Sequence, residues 1–269
     1  MRRLLATLTL LLATAQASAQ TPSQPREVDV ELVLAVDASR SVAASELILQ
    51  RRGYAEALMS PQVQAAIQAG LLGEVAIRYV EWAGDGTVRE IVPWRTVATL
   101  ADAEDVAALL MTEPVATYRR TSISGVLREA ARSMRGNGFA GLRKVIDISG
   151  DGPNNDGRFV EPARDAVLAE GIIINGLPLM TRVGADPRWH IEDLDLYYRD
   201  CVIGGPGAFM IPVRDWTEFE AAVRRKLVLE IAGRVPAEPE RLWRAEEPAR
   251  ADCQIGEKIW QRWFSGEPW

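Results

Sequence analysis

Residues 30–36 form an almost unbroken apolar run that stops at Asp37, the pattern of a central strand covered on both faces. A helical period follows from Ser45, which can cap it, to about Ser60, with Glu46 in the first turn and Pro61 ending it. Residues 74–82 and 87–94 read as strands, and Gly84-Asp85-Gly86 between them predicts a hairpin. Helical spacing recurs over 102–111 and over 121–134, the second stopped by Gly136-Asn137-Gly138. A buried strand is expected at 144–149, a helix at 161–170 stopped at Gly171, and a strand at 172–177. A last strand near 208–213 precedes a helix from about Trp216 to Ala232. Strands alternating with helices predict an α/β fold, doubly wound, with a mostly parallel central sheet, one antiparallel edge strand and helices on both faces. In such sheets ligands bind beyond the carboxyl ends of the strands, near the topological switch. That directs attention to the segments after Val36 and Ile148 and to the loop before Thr121.

The ends read differently. Arg2 and Arg3 precede an apolar run over 4–13, and Ala17-Ser18-Ala19 is a small-residue cleavage pattern, so 1–19 is read as a secretory signal peptide. The apolar run falls short of the roughly 20 residues of a membrane span. Residues 20–27 become a tether, and no stable membrane span is expected once the signal is removed. Removing Arg2 and Arg3 lowers the 31 basic residues to 29 against 37 acidic ones, a charge of −8. That balance disfavours a phosphate-backbone partner, and Arg51-Arg52 and Arg224-Arg225-Lys226 are read as solvated helix faces. In the oxidising compartment implied by export, periplasmic or secreted, Cys201 and Cys253 are expected to pair and tie the tail to the body.

The first strand ends in Asp37-Ala38-Ser39-Arg40-Ser41, where one carboxylate and two hydroxyls at alternate positions can converge. Thr121 opens Thr121-Ser122-Ile123-Ser124-Gly125, and the strand at 144–149 runs into Gly150-Asp151-Gly152. Oxygen donors of this hardness suit Mg²⁺, with Mn²⁺ as an alternative, rather than zinc or copper. With these three elements in this order, residues 29–233 resemble the von Willebrand factor A domain family, and a bacterial branch of it carrying the Ser-Gly-Asp-Gly-Pro-Asn-Asn loop at 149–155. The resemblance implies a Rossmann-like domain, here 28–233, with a metal-ion-dependent adhesion site formed by Asp37, Ser39, Ser41, Thr121 and Asp151. It departs from the family at Arg119-Arg120, where glycines are common, and at Ser149-Gly150, where a threonine is. The two guanidinium groups either bias the mouth of the site or point into solvent.

The resemblance implies protein binding rather than catalysis: a divalent ion balanced by two carboxylates accepts an Asp or Glu carboxylate from a protein partner. A metal-assisted hydrolase would need a base, for which Asp147, Asp156 and His190 are the candidates. A structural envelope subunit with an empty site is the third reading. Asp147, interrupting an apolar strand, is read as a structural hydrogen-bonding group ahead of a metal ligand, Asn154, Asn155 and Asp156 as turn formers ahead of supports behind the metal ligands, and His190 as a surface or hydrogen-bonded histidine ahead of a catalyst. The extension at 234–269 carries Trp243, Trp260, Trp263 and Trp269, and either packs on the domain or offers aromatic anchors to a partner.

Overall fold

The computed structural model describes residues 24–181, 191–236 and 250–265. The expected signal peptide, His190, Trp243 and Trp269 lie outside the described residues. Five strands, β1 (Arg26–Asp37), β2 (Val75–Trp82), β3 (Val88–Val97), β4 (Phe139–Gly150) and β5 (Ile173–Pro178), form one sheet in the order β3-β2-β1-β4-β5. Only the β2–β3 pairing is antiparallel; β1–β2, β1–β4 and β4–β5 are parallel. The fold is thus of the doubly wound α/β kind with a single antiparallel edge. Gly86, at φ 77°, makes the β2–β3 turn, which closes with Thr87 N–H donating to Gly84 O.

The apolar run of β1 feeds two cores because alternate side chains leave opposite faces of a strand. Val30, Leu32, Leu34 and Val36 pack with α1 (Ala44–Met59), α2 (Pro61–Gln68), α3 (Leu100–Thr112) and α7 (Phe219–Ala232). Val33 and Ala35 pack against α4 (Ile123–Ser133), α5 (Val160–Ala169) and α6 (Leu194–Tyr197), with Cys253 just ahead of α8 (Ile255–Ser265).

Several boundaries differ from the sequence expectation. The cap of α1 is Ala43, not Ser45, and Glu46 Oε2 accepts the Ala43 N–H, relieving one of the free donors of the first turn. Pro61 ends α1 and also opens α2, since a first helical position needs no N–H; Ser60 Oγ accepts from Val63 N. Residues 208–213 run beside β5 without becoming a sixth strand: bridges join Gly176 with Met210 and Leu179 with Val213, and Ile211 N–H donates to Gly176 O and Val213 N–H to Pro178 O. The tail segment at 255–265, unassigned in the sequence, is the helix α8.

The solvated reading of the basic clusters is wrong at two positions. Arg51 is buried and forks onto Glu81, Nε to Oε1 at 2.6 Å and Nη2 to Oε2 at 2.9 Å. Lys226 is buried between Asp147, 2.6 Å away, and Glu230, while Asn175 Nδ2 donates to Glu230 Oε1 at 2.9 Å. Asp147 thus sits in a buried ion pair with Lys226. Burial raises its carboxyl above the ordinary range and pushes Glu230 up to about 7, with Lys226 opposing both shifts.

Candidate functional site

Asp37 is the last residue of β1 and Asp151 follows the last residue of β4. These strands are parallel neighbours, with Val36 opposite Ser149, so both carboxylates emerge at one edge of the sheet. β1 lies between β2 and β4, the position from which the sheet grows in both directions, and the carboxyl edge there is the usual location of a ligand crevice.

The turn after β1 is closed by Ser39 N–H donating to Asp37 Oδ1 at 2.7 Å. That bond directs the two serine side chains together: their Oγ atoms are 2.8 Å apart, and Ser41 Oγ donates to Asp151 Oδ1 at 2.8 Å. The segment before α4 is drawn alongside by Tyr118 N–H donating to Ala38 O. Thr121 is buried outside α4, whose cap is Ser122, with Gly125 N–H donating to Ser122 Oγ. Its backbone is clasped on both sides by Asn155: Thr121 N–H donates to Asn155 Oδ1 at 2.9 Å, and Asn155 N–H to Thr121 O at 2.8 Å. Ser39, Ser41 and Thr121 line one cleft of about 460 Å³.

Asp37 and Asp151 are buried and do not themselves line this cleft, and the electrostatics between them are unfavourable without a cation. Burial, and next the charge of Asp151, hold the Asp37 carboxyl well above its usual range; burial also raises Asp151, to about 6. Asp37 Oδ2 is buried with no hydrogen-bond partner, and so is the Tyr198 hydroxyl. A Cβ at Gly150 would stand 3.1 Å from the first and 2.9 Å from the second, so Gly150 leaves both oxygens their room. A buried oxygen without a donor is costly and calls for an explanation. A divalent ion fits these residues: it would neutralise two mutually repelling carboxylates and use the free Asp37 oxygen. The donors are all oxygen, the set preferred by Mg²⁺ and Mn²⁺. Among the described residues no three His, Cys, Asp or Glu side chains cluster, so the hydroxyls would have to complete the coordination.

Asn154, Asn155 and Asp156 do more than form a turn. Asn154 Oδ1 accepts from Ser124 N, its Nδ2 donates to Arg158 O and to Glu257 Oε1, and its backbone N–H donates to the Tyr197 hydroxyl. Asp156 pairs with Arg120 at 2.7 Å and accepts from Asp85 N. Arg120 has φ 69°, the left-handed region rarely used by residues other than glycine, and its guanidinium lies 4.4 Å from the centre of the Trp260 ring. Of the two arginines, then, Arg120 is held at the mouth rather than free in solvent, and Arg119 lines the cleft.

Sequence reasoning missed the contribution of α8. The Cys201–Cys253 disulfide is formed and sets this helix against the Asn154 loop. Gly256 packs so closely that an added Cβ would fall 2.0 Å from Asn154 O. A signal was present: Ile255, Ile259, Trp260, Trp263 and Phe264 recur at helical spacing.

Residues 27–235 match the family model described as "Protein of unknown function (DUF1194)". A search of curated proteins finds no sequence relative. Among solved structures, proximal thread matrix protein 1 from the mussel byssus superposes with a TM-score of 0.56 at 13% identity, over 78% of this chain and 48% of that one. A further structure of that protein, titled as having a zinc-occupied MIDAS motif, gives 0.52 at 14% identity over 78% and 49%. The pilus adhesin SpaC from Lactobacillus rhamnosus GG gives 0.55 at 13%, over 79% of this chain and 30% of the adhesin. The protein BatB from Bacteroides thetaiotaomicron gives 0.51 at 17%, over 76% and 99%. This chain thus spans about half of the byssus protein and less than a third of the adhesin, and at such identities the likeness concerns the fold. With the match covering most of its length, the chain belongs to the DUF1194 family and carries a von Willebrand factor A-like domain.

Proposed function

We propose that the chain is an exported protein-binding module that captures an acidic side chain of a partner through a divalent ion held by Asp37, Ser39, Ser41, Thr121 and Asp151. The observation that carries this reading is Asp37 Oδ2, a buried carboxylate oxygen with no donor, set beside a second raised carboxyl and a chain of hydroxyls. The byssus protein with its zinc-occupied MIDAS motif and the SpaC adhesin support it by analogy of fold. When bound, the cation supplies an electrophilic position for an incoming carboxylate. The chain's residues do the rest: Asp37 and Asp151 provide the countercharge, and the hydroxyls add neutral oxygens. Asn155 fixes the Thr121 backbone through two hydrogen bonds.

A binding role is favoured over hydrolysis because two candidate bases are already engaged, Asp147 by Lys226 and Asp156 by Arg120. Among the described residues no helix is long and apolar enough to cross a membrane. Calorimetric titration of residues 20–269 with Mg²⁺ and with Mn²⁺ tests the site. One bound ion is expected, abolished in both Asp37→Ala and Asp151→Ala. Metal binding undiminished in those variants would overturn the assignment.

A further inference from the structure

The cleft over the candidate metal site has two unlike walls. One comes from the loops of the α/β domain and carries Arg40 and Arg119, both exposed, beside Ser39, Ser41 and Thr121. The other comes from α8, which lies beyond the residues matched by the family model. Trp260, Trp263 and Phe264 of α8 line the cleft. They form an aromatic cluster, with Trp260 and Trp263 stacked at 5.4 Å and Phe264 edge-on to both. Trp263 is 47% exposed and Phe264 66%, and both side chains line the cleft. The helix is held in register by the disulfide, by Gly256 against Asn154 and by the Glu257–Asn154 hydrogen bond.

We infer that α8 is the second half of the binding site and selects a peptide segment in which an acidic residue is accompanied, within a few positions, by an aromatic one. The carboxylate enters between the arginines toward Ser39, Ser41 and Thr121, and the aromatic side chain packs against Trp263 and Phe264. Charge complementarity sets the sign of the partner: the mouth is cationic while the chain as a whole carries −6. Rigid aromatic anchors beside a charged contact are the usual composition of an interface centre. This inference rests on the metal-dependent reading of the site.

The test uses capped synthetic peptides with one Asp in a Gly-Ser background, alone or with Trp one, two or three residues away on either side. Binding to residues 20–269 is measured in Mn²⁺, in Mg²⁺ and in excess chelator, and compared with Trp263→Ala/Phe264→Ala. At least one Trp-containing peptide is expected to bind on the order of tenfold more tightly than the Asp-only peptide. That ratio should fall toward one in the double variant. Equal, metal-dependent affinity for all peptides would overturn the aromatic wall and leave the metal site standing. Metal binding with no capture of any peptide would overturn both readings. Tight binding of Trp peptides that ignores the chelator would overturn the coupling to the metal. Binding to vesicles of anionic phosphatidylglycerol, lost in the double variant and unaccompanied by peptide preference, would assign the aromatic wall to lipid instead.

Discussion

Ser41 donates its hydroxyl proton to Asp151, joining the loop after β1 to the loop after β4 at 2.8 Å. Through Ser39 the same chain of polar atoms reaches back toward Asp37. A substitution at either end therefore acts on both loops.

Asp37→Asn separates stability from function. The amide keeps an oxygen for the Ser39 N–H and removes a carboxyl whose ionisation is penalised by burial and then by Asp151, so the metal-free protein should melt higher than the wild type. It should also lose the rise in melting temperature that Mg²⁺ or Mn²⁺ gives, since only binding to the native state stabilises it. Thermal unfolding with and without metal checks both; a metal shift equal to that of the wild type would contradict the prediction.

Thr121→Ala removes one neutral oxygen and leaves both carboxylates. Metal affinity is expected to weaken less than tenfold while capture of an acidic peptide falls by more than that. Parallel titrations with metal and with peptide measure the two changes, and an equal loss in both would deny Thr121 a role in presenting the ion.

The buried Asp147–Lys226–Glu230 cluster should appear in the pH dependence of stability. Burial raises Glu230 to about 7, above its ordinary value of 4.5, so the native state prefers its protonated form. The stability from that preference is complete below about pH 4.5 and is lost as pH rises through about 7. Glu230→Gln should flatten this fall between pH 5 and 8 relative to the wild type. Lys226→Met leaves two buried carboxyls without their cation and should destabilise the fold by about 3–5 kcal/mol at neutral pH. Denaturant unfolding across that pH range tests both variants, and an unchanged slope in Glu230→Gln would refute the assignment.

The disulfide closes a separation of 52 residues and should contribute about 3–4 kcal/mol in the chain-entropy account. Alkylation without reductant, followed by intact mass, is expected to find no free thiol. Cys253→Ser should expose α8 to proteolysis before the body of the domain, and cleavage in the reverse order would argue against a stapled helix.

Much of the arrangement of the candidate residues was legible because it depends on local sequence. Asp37, Ser39 and Ser41 share one turn, and the apolar runs that deliver Asp37 and Asp151 to neighbouring strand ends have the length and composition of covered strands. The sequence was silent where a polar residue acts at long range. Asn154 resembles any turn former until Tyr197, Ser124 and Glu257 are brought to it from three other segments. Arg51 and Lys226 sit in charged stretches, and only the packing of α1 and α7 onto the sheet turns them inward to carboxylates. The last expected strand is met only in part, since residues 208–213 bridge β5 at Met210 and Val213 without becoming a sixth strand.

Asn154 holds α4 through Ser124 and α8 through Glu257, while its neighbour Asn155 holds Thr121. Arg120, in its left-handed conformation between Asp156 and Trp260, bridges the same two parts at the surface. Loop order and helix docking are therefore linked equilibria, and linkage is reciprocal: a ligand that tightens the loops must, by the same free energy, hold α8 in place. The helix near the end of the chain would then serve as a reporter of the cleft, and a fluorescence change at Trp260 or Trp263 should follow its occupancy, far in sequence from Asp37, Ser39, Ser41, Thr121 and Asp151.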